Sequence, residues 1–405
     1  DRVEACGNGD HRVWIVGGAL RDVLSGAEPH EVDLCTTMLT DEMLTAFPAS
    51  LGTGERFGTV TIQHGDLAVE CTTLRTDSDS YSDGRRPDSV SFCTSLREDL
   101  KRRDFTVNAM AFDVRRLLLF DPFGGSDDCA TATLRTVGDA ATRLQQDGLR
   151  IIRGYRFLGA VAAGRPARSA DFPLSSAMKA SVQLLARISR QRVRDEFKRI
   201  LDVPTAAEVV ATMAEDGALD LVLSGAAPRQ RNCCEVAAIK ALWAHGDARD
   251  LVRPMWLLSL VLLLSRDLEP ARTCAAMKLT KREQEIVGRH LECLGYIPKP
   301  DDLSEVRCYA SALGTEAVFA QLRLERAWAE GSAKGHATVA MVDAVHDSVM
   351  ALRPGSVAAR PIADGRWIIE RIGCRGAQVG RIKDRLYYEQ IVRDVQDLDG
   401  MEAIL

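Results

Sequence analysis

Val13-Trp14-Ile15-Val16-Gly17-Gly18-Ala19-Leu20-Arg21-Asp22 is the stretch on which the fold turns, and Glu31-Val32-Asp33-Leu34 follows closely behind it. A β-branched and aromatic run ends in a glycine pair and passes into a helical pattern, which reads as strand, tight turn and helix. Gly17 and Gly18 let backbone N–H groups approach an anion that a Cβ would keep away, and a helix start adds a favourable dipole. Arg21, one turn in, adds a positive charge. Glu31 and Asp33 stand two apart in a predicted strand, so both carboxylates project from one face and repel each other. A pair of divalent metals is the usual compensation, and hard oxygen donors suit Mg²⁺. A solvated strand end is the other reading of the same acids.

Outward from this stretch the pattern first stays α/β. A strand at 32–36 is followed by a short helix capped by Thr40 and ending near Pro48. The runs Gly58–Ile62 and Leu67–Thr73 flank His64-Gly65-Asp66 as a hairpin, which carries Glu70 onto a neighbouring strand. Residues 77–87 are polar and Gly- and Asp-rich and read as an irregular loop; residues 97–110 read as helix, with Arg103 and Asp104 entering a buried face of Phe105, Val107 and Met110. From Leu134 strand signals nearly vanish. Helical periodicity covers 140–160 and 181–201, and apolar helices run from Glu208 to about Leu294. Pro298 and Pro300 mark a joint, and a basic, glycine-containing turn at 373–382 sits in a helical tail. The predicted fold is an α/β head with a mixed sheet and helices (1–134) followed by an all-α neck (135–203), body (204–298) and tail (299–405).

Composition bounds the function. With 405 residues, 46% apolar and 27% charged, the chain is ordinary globular protein of several units. The net charge of −5 gives no whole-chain sign of a nucleic-acid partner, but arginines cluster at 143–156, 187–194 and 366–385, where they can track phosphates or simply solvate helix faces. Eleven cysteines include no C-x-x-C pair, so neither a zinc ribbon nor a disulfide framework is indicated and reduced, intracellular thiols are expected. The longest apolar run, Met255–Leu264, is too short to span a bilayer and reads as a core helix, so no membrane partner is expected. No Ser–His or Cys–His constellation stands out, and His245-Gly246-Asp247 is not the adjacent His-Asp of a metal phosphohydrolase. Cytoplasm is the expected compartment. Because the chain begins at Asp1, a targeting segment ahead of it, and with it a mitochondrial location, stays open. Oligomeric state leaves no signal.

Three further motifs follow the glycine turn in order: Tyr81-Ser82-Asp83-Gly84-Arg85-Arg86-Pro87, Arg102-Arg103-Asp104-Phe105-Thr106-Val107-Asn108-Ala109-Met110, and Asp147-Gly148-Leu149-Arg150-Ile151-Ile152-Arg153-Gly154-Tyr155-Arg156-Phe157. Together they resemble the class II CCA-adding tRNA nucleotidyltransferases and the related bacterial poly(A) polymerases, over about residues 11–205 and more weakly beyond. The resemblance implies template-independent addition of C, C and A to the 3′ end of tRNA from CTP and ATP, with Mg²⁺ in a two-metal site and Mn²⁺ as a substitute. It implies Glu31 and Asp33 as metal ligands and Glu70 as a third catalytic carboxylate. Gly17, Gly18, Arg21 and Arg103 would hold the triphosphate, and Asp104 and Asn108 the sugar or its scaffold. Arg375 and Arg381 in the tail would hold the tRNA elbow.

Asp147 and Arg150, at i,i+3, are expected on one helix face. Cytosine and adenine both offer an amino donor beside a ring-nitrogen acceptor, whereas guanine and uracil reverse the order. A carboxylate and a guanidinium held side by side therefore admit C and A without a template, and Arg153 and Arg156 further along would reach phosphates or order the pair. An exposed ion pair is the structural alternative. Two residues depart from the family pattern: Glu31 replaces the first Asp of Asp-x-Asp, and Gln146 replaces the Glu before Asp147. Phe57-Gly58-Thr59-Val60 resembles the tRNA enzymes rather than the polyadenylating ones, and the Asp83–Pro87 loop argues against a CC-only enzyme. An A-only enzyme, a poly(A) polymerase and a catalytically silent tRNA-binding relative are the competing readings.

Overall fold

The computed structural model of the chain describes residues 11–29, 31–77, 90–159, 167–223, 233–244, 254–265, 267, 269–331, 338–358 and 360–405. The motif Tyr81–Pro87 and the His245–Asp247 stretch lie outside the described residues. The chain divides into two compact units, 1–229 and 230–405. This division is coarser than the four segments expected from sequence.

The first unit opens with β1 (Val13–Val16), α1 (Gly18–Leu24), β2 (Asp33–Thr36), α2 (Thr40–Ala46), β3 (Leu51–Gly54), β4 (Thr59–His64) and β5 (Leu67–Thr73). It continues with β6 (Arg75–Asp77), β7 (Val90–Phe92), α3 (Leu96–Lys101), β8 (Ala111–Asp113), β9 (Leu118–Phe120), α4 (Gly125–Ala130) and β10 (Thr133–Leu134). Seven strands form one mixed sheet in the order β3-β4-β5-β2-β1-β8-β9, with β2 and β5 parallel and every other pair antiparallel. The alternation of β1 explains its central place. Trp14 and Val16 are buried against Cys35, Leu100 and Ala109 on one side of the sheet, while Met43 of α2 packs on Val60, Ile62 and Cys71. The β4–β5 hairpin turns at Gly65-Asp66 as expected, Gly65 taking φ 60°.

Three local expectations need correction. Regular pairing in β2 starts at Asp33, leaving Glu31 and Val32 exposed ahead of it. Thr40 is the first residue of α2 and not its cap; the N–H of Leu39 is taken instead by Glu42 Oε2 at 2.7 Å. The helix expected over 97–110 stops at Lys101. Asp104 accepts bonds from the Phe105 N–H (2.8 Å) and from Asn108 Nδ2 (3.0 Å), a local alternative to helix that turns the chain into a bridge from Phe105 to Thr136 and a 3₁₀ turn at Thr106–Asn108. Phe105, Val107 and Met110 are nevertheless fully buried, as expected.

The unit is completed by α5 (Ala140–Gln146), α6 (Leu149–Gly159), β11 (Ser169–Ala170), α7 (Phe172–Ser181), α8 (Arg190–Leu201), α9 (Ala206–Glu215) and α10 (Ala218–Leu223). The single helix expected over 140–160 is broken at Asp147-Gly148. Asp147 is extended (φ −142°, ψ 105°), and its Oδ1 accepts the Leu149 N–H at 3.0 Å, starting a new helix. The 181–201 segment is likewise split into a 3₁₀ turn at Val182–Arg187 and α8, whose buried stripe is Val193, Glu196, Phe197 and Ile200. The fold is thus a mixed sheet with helices followed by helix almost throughout.

The second unit is helical. Met255–Leu264 is buried on nearly every side, the core helix read from its composition, and among the described residues no helix is long and apolar enough to cross a membrane. A polar chain runs through its interior: His290 Nδ1 meets Gln321 Oε1 at 2.7 Å, and Gln321 Nε2 and the Gly295 N–H each donate to Glu325 Oε1 at 2.8 Å. Burial pushes the Glu325 carboxyl up to about 7, and these two bonds only partly oppose it. The fold therefore holds this proton more tightly than the unfolded chain does. Its stabilisation is complete below the ordinary carboxyl range and is lost as pH rises through about 7. Glu325→Gln, which keeps the acceptor and cannot ionise, is expected to raise the melting temperature by roughly 5 °C at pH 8 and hardly at all at pH 5. Equal shifts at the two pH values would refute this account.

Candidate active site

A cleft of about 540 Å³ lies where β1, β2 and β5 bring Val16, Asp33 and Glu70 beside α6 and α8. All thirteen catalytic and nucleotide-binding residues expected in the first unit line it: Gly17, Gly18, Arg21, Glu31, Asp33, Glu70, Arg103, Asp104, Asn108, Asp147, Arg150, Arg153 and Arg156. Arg375 and Arg381 are exposed in the second unit, the former in the loop before the helix Ala377–Val392 and the latter on that helix. A larger hollow of about 830 Å³ at the other ends of β1 and β2, against Arg12, Trp14 and Leu118, holds none of the expected residues.

The acids sit at strand ends. Val16 faces Asp33 across the β1–β2 ladder, and the parallel register Leu34 to Cys71 sets Asp33 and Glu70 side by side. Burial raises the Asp33 carboxyl, Arg103 opposes the rise, and the Glu31 charge adds to it. Among the described residues no three His, Cys or carboxylate groups converge into a ready-made metal cage. Gly17 is favoured by its backbone conformation. Its φ of 76° and ψ of −135° disfavour an L side chain, and a Cβ there would lie 3.4 Å from Asp33 Oδ2 and 3.5 Å from Arg103 Nη1.

The cations are anchored by their neighbours. Arg21 reaches Asp22 at 2.7 Å and donates to Asn108 Oδ1 at 2.9 Å. Asn108 in turn donates to Asp104, which accepts from Arg153 Nε at 2.8 Å. Glu196 gathers three arginines: Arg156 Nε at 2.6 Å, an ion pair without the angle of a hydrogen bond, and Arg153 and Arg199 at 3.6 Å each. The buried Phe157 ring lies under the Arg156, Arg21 and Arg153 guanidinium groups at 4.1, 5.1 and 5.4 Å. Arg102 and Arg103 lean on buried Asp99 at 2.7 and 3.3 Å. Burial alone would raise Asp104, but Arg153 and the bonds from Asn108 and Phe105 outweigh it and hold the carboxyl well below its usual range. Burial draws Arg156 down to about 10 despite Glu196, with Arg153, Arg199 and Arg21 adding to the effect.

The expected Asp147–Arg150 face is not formed within one helix. Asp147 stands on the break between α5 and α6, where its nearest cation is Arg192 of α8 at 3.7 Å. Arg150 turns instead to backbone, donating to the carbonyls of Arg143 (2.8 Å) and Arg102 (3.2 Å). Both side chains still line the cleft, and burial raises the Asp147 carboxyl against the opposition of the Leu149 N–H, Arg192 and Arg150. Arg192, Glu196 and Phe157 were missed as parts of the site. Arg192 was seen only as one of a basic run. Glu196 did leave a signal, a charge inside the apolar stripe of α8.

Residues 13–135 match the family model described as the poly A polymerase head domain, and residues 173–229 match the probable RNA and SrmB-binding site of polymerase A. The sheet and its cleft therefore define a nucleotidyltransferase. The CCA-adding enzyme of Geobacillus thermodenitrificans is 36% identical over 316 residues, covering 77% of this chain and 74% of that protein. The CCA-adding enzyme of Streptococcus sanguinis is 33% identical, covering 76% and 73%. The crystal structure of the Bacillus stearothermophilus CCA-adding enzyme in complex with CTP superposes with a TM-score of 0.78 at 27% identity, over 98% of this chain and 93% of that one. The chain belongs to the CCA-adding enzyme family.

Glu196 is the buried acid beside Arg156, so Glu196→Gln leaves the Arg156 guanidinium without its ion-pair partner, while Arg153 keeps Asp104 and Arg199 is exposed. We expect a loss of about 2–4 kcal/mol in unfolding free energy, read by denaturant titration. A change within about 0.5 kcal/mol would show the cluster to be solvated like a surface pair.

Proposed function

We propose that the cleft transfers nucleotidyl groups from CTP and ATP to the 3′ end of tRNA, completing its CCA terminus. One observation carries this reading: thirteen residues drawn from segments as far apart as Gly17 and Arg156 line one cleft, with acids at the strand ends and guanidinium groups around them. Arg21 and Arg103 grip the triphosphate from fixed positions. Asp104 and Asn108 act as scaffold, because the Asp104 carboxylate is committed to Arg153 and to Asn108 itself. Asp147 accepts from the amino group that C and A share, and Arg150 donates to the neighbouring ring nitrogen. In this reading Arg375 and Arg381 contact the tRNA backbone.

Glu31 and Asp33 would hold Mg²⁺ beside Glu70, and the bound ions would lower the pKa of the attacking hydroxyl and neutralise charge on the departing pyrophosphate. The donor chemistry fits: the oxygens are hard, and a cation would relieve the rise that burial and Glu31 impose on Asp33. Mg²⁺ binds through one or two carboxylates together with substrate phosphates, so Glu31 and Asp33 would need no further protein ligand.

The test is to incubate the protein with tRNA transcripts ending at the discriminator base, after C, or after CC, supply each labelled nucleotide in turn, and sequence the ends. Completion to CCA from all three supports the reading. Addition of A alone, a run of A, or no addition at all would replace it with an A-only enzyme, a poly(A) polymerase or a silent binder. Asp33→Ala is expected to abolish incorporation while tRNA binding stays near the parent's. Turnover within about tenfold of the parent would remove Asp33 from the catalytic set.

Glu31 extends its carboxylate by about 1.5 Å relative to Asp, the length of one C–C bond, and adds a torsion. A catalytic group displaced by about 1 Å costs on the order of a hundredfold in rate. Glu31→Asp is therefore expected to raise turnover by about tenfold or more, with little change in nucleotide affinity. A fall in turnover would mean that the exposed backbone ahead of β2 is adapted to Glu31.

A further inference from the structure

Arg143 stands behind the cleft wall, on α5, and its guanidinium joins two segments that the sequence keeps about forty residues apart. Nη2 donates to the carbonyls of Arg102 and Arg103 at 2.6 Å each and is 3.4 Å from that of Lys101, the backbone acceptors left open where α3 stops. Nη1 donates to Gln146 Oε1 at 2.6 Å, next to Asp147. Arg150 closes the arrangement from the other side: its Nη2 reaches the Arg102 carbonyl at 3.2 Å, and its Nη1 donates to the Arg143 carbonyl at 2.8 Å and lies 3.4 Å from Gln146 Oε1. One neutral oxygen, that of Gln146, thus faces both guanidinium groups.

We propose that Arg143 is a positioning residue for nucleotide selection: it clamps the turn that carries Arg103 and Asp104 to the break that carries Asp147, so that the base is read at a fixed distance from the held triphosphate. This rests on the reading of the cleft as a CTP and ATP site. Arg143 does not line the cleft. The discrimination it supports is geometric. C and A differ from U by the order of one donor and one acceptor, and a binding constellation must hold to within about 0.5 Å to read such a difference. A guanidinium fork can span several carbonyls and Gln146 at once; the single ammonium of lysine is a point donor on a flexible stem and cannot reproduce that plane. Gln146 supplies an acceptor with two lone pairs and no charge, so the clamp depends on the Arg143 geometry rather than on ion pairing.

The experiment measures binding of CTP, ATP and UTP without tRNA, and kcat and KM for each with a tRNA transcript, in the parent, Arg143→Ala, Arg143→Lys and Gln146→Leu. Arg143→Ala is expected to lower the CTP-over-UTP preference by about tenfold or more, chiefly by raising KM for CTP and ATP. Arg143→Lys should fall between it and the parent. Gln146→Leu leaves the carbonyl contacts of Arg143 in place and should lose part of the preference, which decides the matter if Arg143→Ala does not fold. Equal losses for all three nucleotides, or a lowered melting temperature with the preference intact, would make Arg143 a structural residue only and overturn the proposal. A parent that does not prefer CTP and ATP over UTP would overturn the reading of the cleft, and this proposal with it.

Discussion

Eight arginines line a single cleft, and the rest of the first unit is arranged to keep their like charges together. Guanidinium groups at such separations repel unless each is anchored by an acid or by backbone oxygens. Asp99 holds Arg102 and Arg103, Asp104 holds Arg153, Glu196 gathers Arg153, Arg156 and Arg199, and Arg150 takes carbonyls in place of a carboxylate. Asp99 and Glu196 stand behind the cleft lining, whereas Asp104 is itself part of it. A fork with several donors that spends some on its anchor still presents others to the cleft, which is why arginine serves here where lysine would not.

The acids obey the opposite logic. Asp33 and Glu70 lie at the ends of neighbouring strands, with Glu31 just before them, and Arg103 is the cation that most opposes the rise in Asp33. Acids at the strand ends and guanidinium groups around them line the same cleft. A polyphosphate ester with a divalent cation is the kind of molecule that complements both. Gly17 sits beside both Asp33 and Arg103, and its positive φ is what favours glycine there.

Two further positions bear on this electrostatic layout. Glu31 carries the usual charge on a longer arm from an unpaired segment. Gln146 places a neutral oxygen between Arg143 and Arg150. Arg143 is held by the geometry of its fork on that oxygen and on backbone carbonyls rather than by an acid.

From sequence alone, local chemistry was legible. The β1 alternation, the Gly17 turn, the Gly65 hairpin and the core helix Met255–Leu264 follow from periodicity and residue type, which act over a few neighbours, whereas the roster of arginines and acids was legible through the family resemblance of their motifs. What sequence misjudged was continuity. Residues 97–110 and 140–160 each read as one helix, but the side chains of Asp104 and Asp147 accept local N–H groups and stop or restart the helix, a competition that propensity does not resolve. Partnership was decided only by tertiary structure. Asp147 faces Arg192 and not Arg150, Glu196 lies under three arginines, and Arg143 reaches back to the end of α3, because burying a charge requires whichever partner the packing of α6 and α8 on the sheet unit brings within reach, however distant it is along the chain.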